Sequence, residues 1–224
     1  MKMKTCKAPF RLALLCLALG LITFSGAQAA TRPDFYAVFD PAAGQVPFPT
    51  NLLFSGSTDG TLNIPVDDPT NLADPRVAMN ELDGFSTVAP LTANFSSTLK
   101  ADTVKAGSTV RVFEVTLTQS FGVAEVKREL RAGTDYSANL LPQDANQTTL
   151  NIHPLLPLKP KTGYLVVLTD GIQDSGGFNA SPSQTYALTK LTTPLVDANG
   201  KSVIPGLSDA QARALEPLRQ LTNT

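Results

Sequence analysis

The 224-residue chain carries 18 basic and 19 acidic side chains, a formal net charge of −1, with 42% hydrophobic residues and no tryptophan. So balanced a charge, with no basic cluster beyond the first turn of chain, excludes nucleic acid and anionic membrane surfaces as electrostatic partners. Both cysteines, Cys6 and Cys16, lie near the N-terminus, so the remainder has no disulfide, thiol nucleophile or cysteine zinc site.

The N-terminal segment reads as an export signal. Lys2, Lys4, Lys7 and Arg11 form a basic region, and Leu12 to Phe24 is an uncharged apolar run too short to cross a bilayer comfortably. Ala27-Gln28-Ala29 fits the small-x-small rule, which places cleavage between Ala29 and Ala30. Residues 1–29 are therefore the expected signal peptide, and the expected location is secreted, with periplasm and cell surface as alternatives. Leu14-Leu15 before Cys16 are too large for a lipidation site. Removing the signal takes four positive charges and leaves a net charge of −5. Roughly 195 residues remain, enough for one large or two small cores.

Tyr36 to Phe39 is a short strand candidate that ends at Asp40-Pro41. Val46 to Ser86 is then dense in turn formers, with Pro47, Pro49, Pro65, Pro69 and Pro75 between short apolar groups. Proline fixes φ and donates no hydrogen bond, so this stretch is read as an ordered, loop-rich extension wrapped on a core, with one helical turn at Arg76 to Leu82. Thr87 to Ser97 resumes alternation. Thr109 to Thr116 is a period-two strand, with Val110, Val112 and Glu114 on one face and Arg111, Phe113 and Val115 on the other. Apolar groups on both faces predict a central strand. Phe121 to Leu130 fits helix or strand and is read as a strand; Tyr136 to Leu141, Thr148 to His153 and Gly163 to Thr169 follow as strands, and Gln184 to Leu191 as the last one. Short strands separated by turns every eight to twelve residues predict an antiparallel β-sandwich.

At the end, Ser208 and Gln211 make a capping box, and Leu215, Leu218 and Leu221 follow at helical spacing. Pro217 is expected to kink or end this helix. An amphipathic helix with no later segment to pack upon predicts that the chain after Pro205 is frayed or loosely docked, its leucines exposed.

Candidate chemistry is sparse. His153 is the lone histidine, beside Pro154, with no serine or aspartate partner in view, so a structural role is favoured over a catalytic triad. Gly84-Phe85-Ser86-Thr87-Val88 lacks the final glycine of a nucleophile elbow. Asp59, Asp67, Asp68 and Asp74 match no calcium loop and read better as turn formers. Asp170 to Gly177 is a glycine-rich loop that opens no helix, which argues against a phosphate cradle. No catalytic, cofactor-binding or metal-binding residue is assigned, and no cofactor is expected.

The run FDPAAGQVPFPTNLLFSGSTDGTLNIPVDDP, followed by ELDGFSTVAP, resembles the N-terminal domain of the extracellular bacterial virulence factor lipases. AGSTVRVFEV, PLLPLKPKTGYLVVLTDGIQDSGG and YALTKL look like the same domain continuing, in an order that also resembles bacterial Ig-like modules. The resemblance spans nearly all of residues 35–191. It implies an Ig-like sandwich over 85–191, the extension 30–84 packed on it, and 192–224 as a linker and helix leading to a hydrolase domain outside this chain. It further implies a non-catalytic module that positions or stabilises the α/β-hydrolase domain of a secreted lipase or esterase, with lipid substrate reached only through that domain. No position matches a lipase catalytic residue. The alternative is a free-standing secreted binding or adhesion module.

Overall fold

A computed structural model describes residues 35–118 and 121–222, with side chains through residue 220. The signal segment with Ala29 and Ala30, and the side chain of Leu221, lie outside the described residues. The described elements are β1 (Tyr36–Ala37), α1 (Pro75–Met79), β2 (Leu91–Asn94), β3 (Val110–Leu117), β4 (Val123–Glu129), β5 (Tyr136–Leu140), β6 (Thr149–Pro154), β7 (Gly163–Leu168), β8 (Ser181–Pro182), α2 (Gln184–Thr189) and α3 (Asp209–Thr222). The fold is mainly β, as the turn spacing predicts.

Two antiparallel three-stranded sheets, ordered β2-β6-β5 and β4-β3-β7, carry most of the pairing. β3 is central, running from Val110 opposite Leu168 to Val115 opposite Gly163 without a break in register. Its other neighbour, β4, is an edge strand with register shifts at two places along the β3 ladder. Bulges and charges such as Lys127 on such an edge keep it from pairing with another chain. One small exception to antiparallel pairing is β1, which pairs in parallel with β8. The expected strand at Tyr36 to Phe39 is thus only two residues long.

Both sheets contribute to one core. Val110 and Val112 of β3 face Leu150 and Ile152 of β6, Ala93 of β2 and Tyr136 of β5, with Phe35, Leu130 and Ile172 closing the ends. Each large aliphatic side chain buried there contributes about 1.5–3 kcal/mol relative to exposure. The sheets are also joined by a polar link. The Tyr136 hydroxyl, on a side chain 1% exposed, donates to the Val110 carbonyl at 2.8 Å and accepts from the Gly107 amide at 2.9 Å. Gly107 has φ +77°, and a Cβ there would meet the Ala132 methyl at 3.0 Å, so only glycine brings that amide in without strain.

The extension is ordered by side-chain caps instead of ladders. Thr50 caps a 3-10 turn at Asn51–Phe54, and Asp74 caps α1, whose first residue is Pro75. The helical turn expected at Arg76 to Leu82 therefore sits one residue earlier and is shorter. The Asn80 amide bonds both the amide and the carbonyl of Ile64, at 2.7 and 2.9 Å, supplying backbone partners that no strand provides. Phe54 anchors the segment. Its ring stacks on Phe121 at the β3–β4 connection, 4.8 Å between centroids, and meets Phe85 edge-on, which in turn meets Phe48.

Two expectations fail at the C-terminal end. Gln184 to Leu191, read as a strand, is the helix α2. Ser183 caps it through Tyr186 N, and α2 packs on α3, so capping and tertiary contact override the strand preference of its threonines. The helix after Pro205 is docked, and it continues through Pro217. Ala212 is fully buried while Leu215 and Leu218 are half-buried, because α3 sits on α2 and on the 191–195 segment.

Removing one hydroxyl tests the inter-sheet link. Tyr136→Phe keeps the ring in the core and leaves the Gly107 and Val110 backbone groups with only each other. It is expected to lower unfolding stability by about 1–2 kcal/mol in urea titration, with an unchanged m-value.

Candidate functional site

A groove of about 610 Å³ opens between the helix pair and the start of the extension. One wall is Leu188 of α2 with Leu215 and Leu218 of α3; the opposite wall is Pro41, Leu52 and Ser55. The capping box sets the near end of α3. Gln211 N donates to Ser208 Oγ at 3.3 Å, and Ser208 N donates to Gln211 Oε1 at 3.1 Å. Asp40, at the rim, caps the 3-10 turn at Pro41–Ala43 by accepting from Ala43 N. The groove lining carries no cationic side chain.

The opposite face of α3 is fixed by a buried ion pair. Arg219 donates to Glu216 from Nη2 at 2.7 Å and Nε at 3.0 Å, and both side chains are about nine-tenths buried. Glu216 Oε2 also accepts from Leu195 N at 2.7 Å, while Arg219 Nη1 reaches the Leu191 and Thr192 carbonyls. The pair therefore clamps the 191–195 segment to the helix, and Leu195 is fully buried beneath it. The Arg219 guanidinium holds the Glu216 carboxyl down to about 2, with the Leu195 amide and Gln220 adding to the effect against burial. An i,i+3 Glu–Arg spacing reads in sequence as a surface pair. Its burial depends on how α3 docks, and no local signal reveals it.

The residues singled out in the sequence do not converge. Ser86 Oγ accepts from Val88 N and Ala89 N and closes a turn. His153 is exposed on β6, opposite Ser137 in register. Asp59 and Asp68 each bond the threonine two residues on, and hydrogen bonds from those threonines hold both carboxyls below the usual range. Asp74 caps α1 and pairs with Arg76, whose hydrogen bonds hold its carboxyl low. Asp67 lies exposed nearby. In the glycine-rich loop, Asp174 is buried and accepts from Gly176 N, Phe178 N and Ser97 Oγ, which makes it a loop organiser. Among the described residues no group of three or more acidic, histidine or cysteine side chains is placed to hold a metal ion.

The core-facing side of β4-β3-β7 is charged at its Glu114 end, since Glu114 shares the face of Val110 and Val112, while the outer side carries Arg111 paired with Glu129 beside Phe113. Glu114 accepts from Lys159 Nζ at 2.9 Å and Arg128 Nε at 2.9 Å, and Lys159 above all holds its carboxyl low. Arg128 also reaches Asp135, which Arg131 chiefly holds at about 2. This chain of partly exposed pairs sets surface charge more than stability.

The geometry thus defines an antiparallel, sandwich-like β module with a mainly apolar groove. The family described as bacterial virulence factor lipase N-terminal matches residues 27–206, and the chain belongs to that family. Searches of curated proteins and of solved structures returned no match. No helix among the described residues is long and apolar enough to cross a membrane.

Glu216 has its pKa depressed in the fold against about 4.5 when free. Its pairing therefore stabilises fully above that value and is lost as pH falls toward 2. Amide exchange across Ala212 to Gln220 is expected to accelerate between pH 5 and pH 3, after correction for intrinsic rates. Glu216→Ala, which strands a buried guanidinium, is expected to cost about 3–5 kcal/mol at pH 7 and to flatten that acid dependence.

Proposed function

We propose that this chain is the non-catalytic N-terminal module of a secreted bacterial lipase or esterase, and that its groove seats the α/β-hydrolase domain of the same parent protein. The family match carries this reading. The groove supports it, since its walls join the extension to the C-terminal helix and its lining among the described residues is mainly apolar, with Asp40 its one charged side chain. Buried apolar contact is what ties domains of one chain together.

An Ig-like sandwich over 85–191 is part of the proposal, with 30–84 packed on it and 192–224 as the link to the hydrolase. The pairings support it. β2-β6-β5 and β4-β3-β7 correspond to the B-E-D and C′-C-F strands of an Ig sandwich. Tyr164, at the start of β7, accepts from the Lys159 amide five residues upstream at 2.9 Å, the geometry of a tyrosine corner. Export through cleavage between Ala29 and Ala30 completes the reading.

Three measurements test it. Intact mass of the exported protein is expected to give Ala30 as the first residue; retention of residues 1–29 would refute the cleavage. The purified chain is expected to show no turnover of short-chain nitrophenyl esters above buffer, and turnover abolished by Ser86→Ala would overturn the non-catalytic role. In the parent lipase, Ala42→Arg and Ala214→Arg place charge at exposed positions of the groove. Both are expected to lower the melting temperature of the hydrolase domain while the module's own melting is unchanged.

A further inference from the structure

The outer side of the β2-β6-β5 sheet is polar without being charged. Register sets its side chains in rows, because residues directly opposite on paired strands project to the same side. Phe48 bridges to Thr92, Thr92 lies opposite Asn151, and Asn151 lies opposite Asn139, giving one row across the sheet. Asn94 opposite Thr149 forms the row on one side, and His153 opposite Ser137 the row on the other. With strands about 4.8 Å apart and rows two residues apart, the patch spans roughly 10 by 13 Å. None of these side chains bears a fixed charge, in contrast to the Arg111–Glu129 pair on the outer side of the other sheet.

One group in the patch is incompletely paired. Asn151, nine-tenths buried at the centre of the middle row, donates from Nδ2 to Asn139 Oδ1 at 3.0 Å, yet its own Oδ1 has no partner. A buried acceptor without a donor costs free energy. Asn94, Asn139 and His153 stand exposed around it. The Phe48 ring, 44% exposed, stands at the end of the same row and is held edge-on by Phe85.

From this juxtaposition we propose that the β2-β6-β5 face binds a neutral glycan chain. Sugar hydroxyls both donate and accept, as asparagine, threonine and serine side chains do. A pyranose presents an apolar C–H face that suits an exposed aromatic ring, and an uncharged patch selects an uncharged ligand. Hydroxyls of the glycan meet the exposed Asn94, Asn139 and His153 side chains that surround Asn151. The module would then hold its parent protein on a polysaccharide-coated surface, independently of the groove.

Titration of the full chain with cellotriose, maltotriose, mannotriose and chitotriose, followed by asparagine side-chain amide resonances, tests the proposal. At least one trisaccharide is expected to bind saturably at about 1 mM or tighter, shifting Asn139 and Asn151 amides. Phe48→Ala and Asn139→Ala, both at exposed positions, are each expected to weaken binding about tenfold or more, while Arg111→Ala on the other sheet leaves it unchanged. No saturation by any of the four at about 10 mM overturns the proposal, as does binding that survives both Phe48→Ala and Asn139→Ala.

Discussion

The two sheets of this module are held in one relation by a phenol. Tyr136 sits at the start of β5, yet its hydroxyl meets the backbone of β3 and of the turn before it, so the facing sheets share a directional bond as well as apolar contact. Hydrophobic burial alone is non-directional and tolerates sliding. A buried hydroxyl satisfied on both its donor and acceptor sides does not, because displacement would leave polar groups unpaired in a low-dielectric core. Gly107 is required at this point, since only a residue without a side chain brings its amide to the phenol past Ala132.

With the sheets fixed, their two outer sides take different chemistry. The outer β4-β3-β7 side carries the Arg111–Glu129 pair beside Phe113, and at the core-facing edge Glu114 joins β3 to the β6–β7 connection through Lys159. The β2-β6-β5 side is neutral and rich in amides. Among its buried side-chain polar atoms, the Asn151 carbonyl oxygen is left without a partner. The extension reaches the rim of this second face through the Phe48–Thr92 bridge and the β3–β4 connection through Phe54 and Phe121. A loop-rich segment thereby acts as a brace without contributing a long strand.

The helix pair answers a separate problem. α2 has six residues, too few to persist in isolation, and α3 contains a proline. Each is stabilised by the other and by the Glu216–Arg219 clamp on the 191–195 segment. Burying an ion pair costs desolvation, which is offset here by hydrogen bonds from Leu195 and to the Leu191 and Thr192 carbonyls. The apolar edge left over, Leu188 with Leu215 and Leu218, becomes the wall of the groove.

Much of this was legible in the sequence. Period-two alternation marked β3, a run rich in Val and Leu marked β7, apolar groups on both faces marked β3 as central, and Ser208 with Gln211 marked the start of α3, because these signals act within a few residues. What the sequence alone misread, Gln184 to Leu191 as a strand and the last helix as undocked, depended on contacts between segments that each look weak alone. The burial of Glu216 and Arg219 and the joining of Thr92, Asn139 and Asn151 into one row likewise arise only when strands far apart in the chain pair in a particular register. Local spacing determines which way a side chain points along its own strand or helix; only the tertiary structure decides what stands beside it.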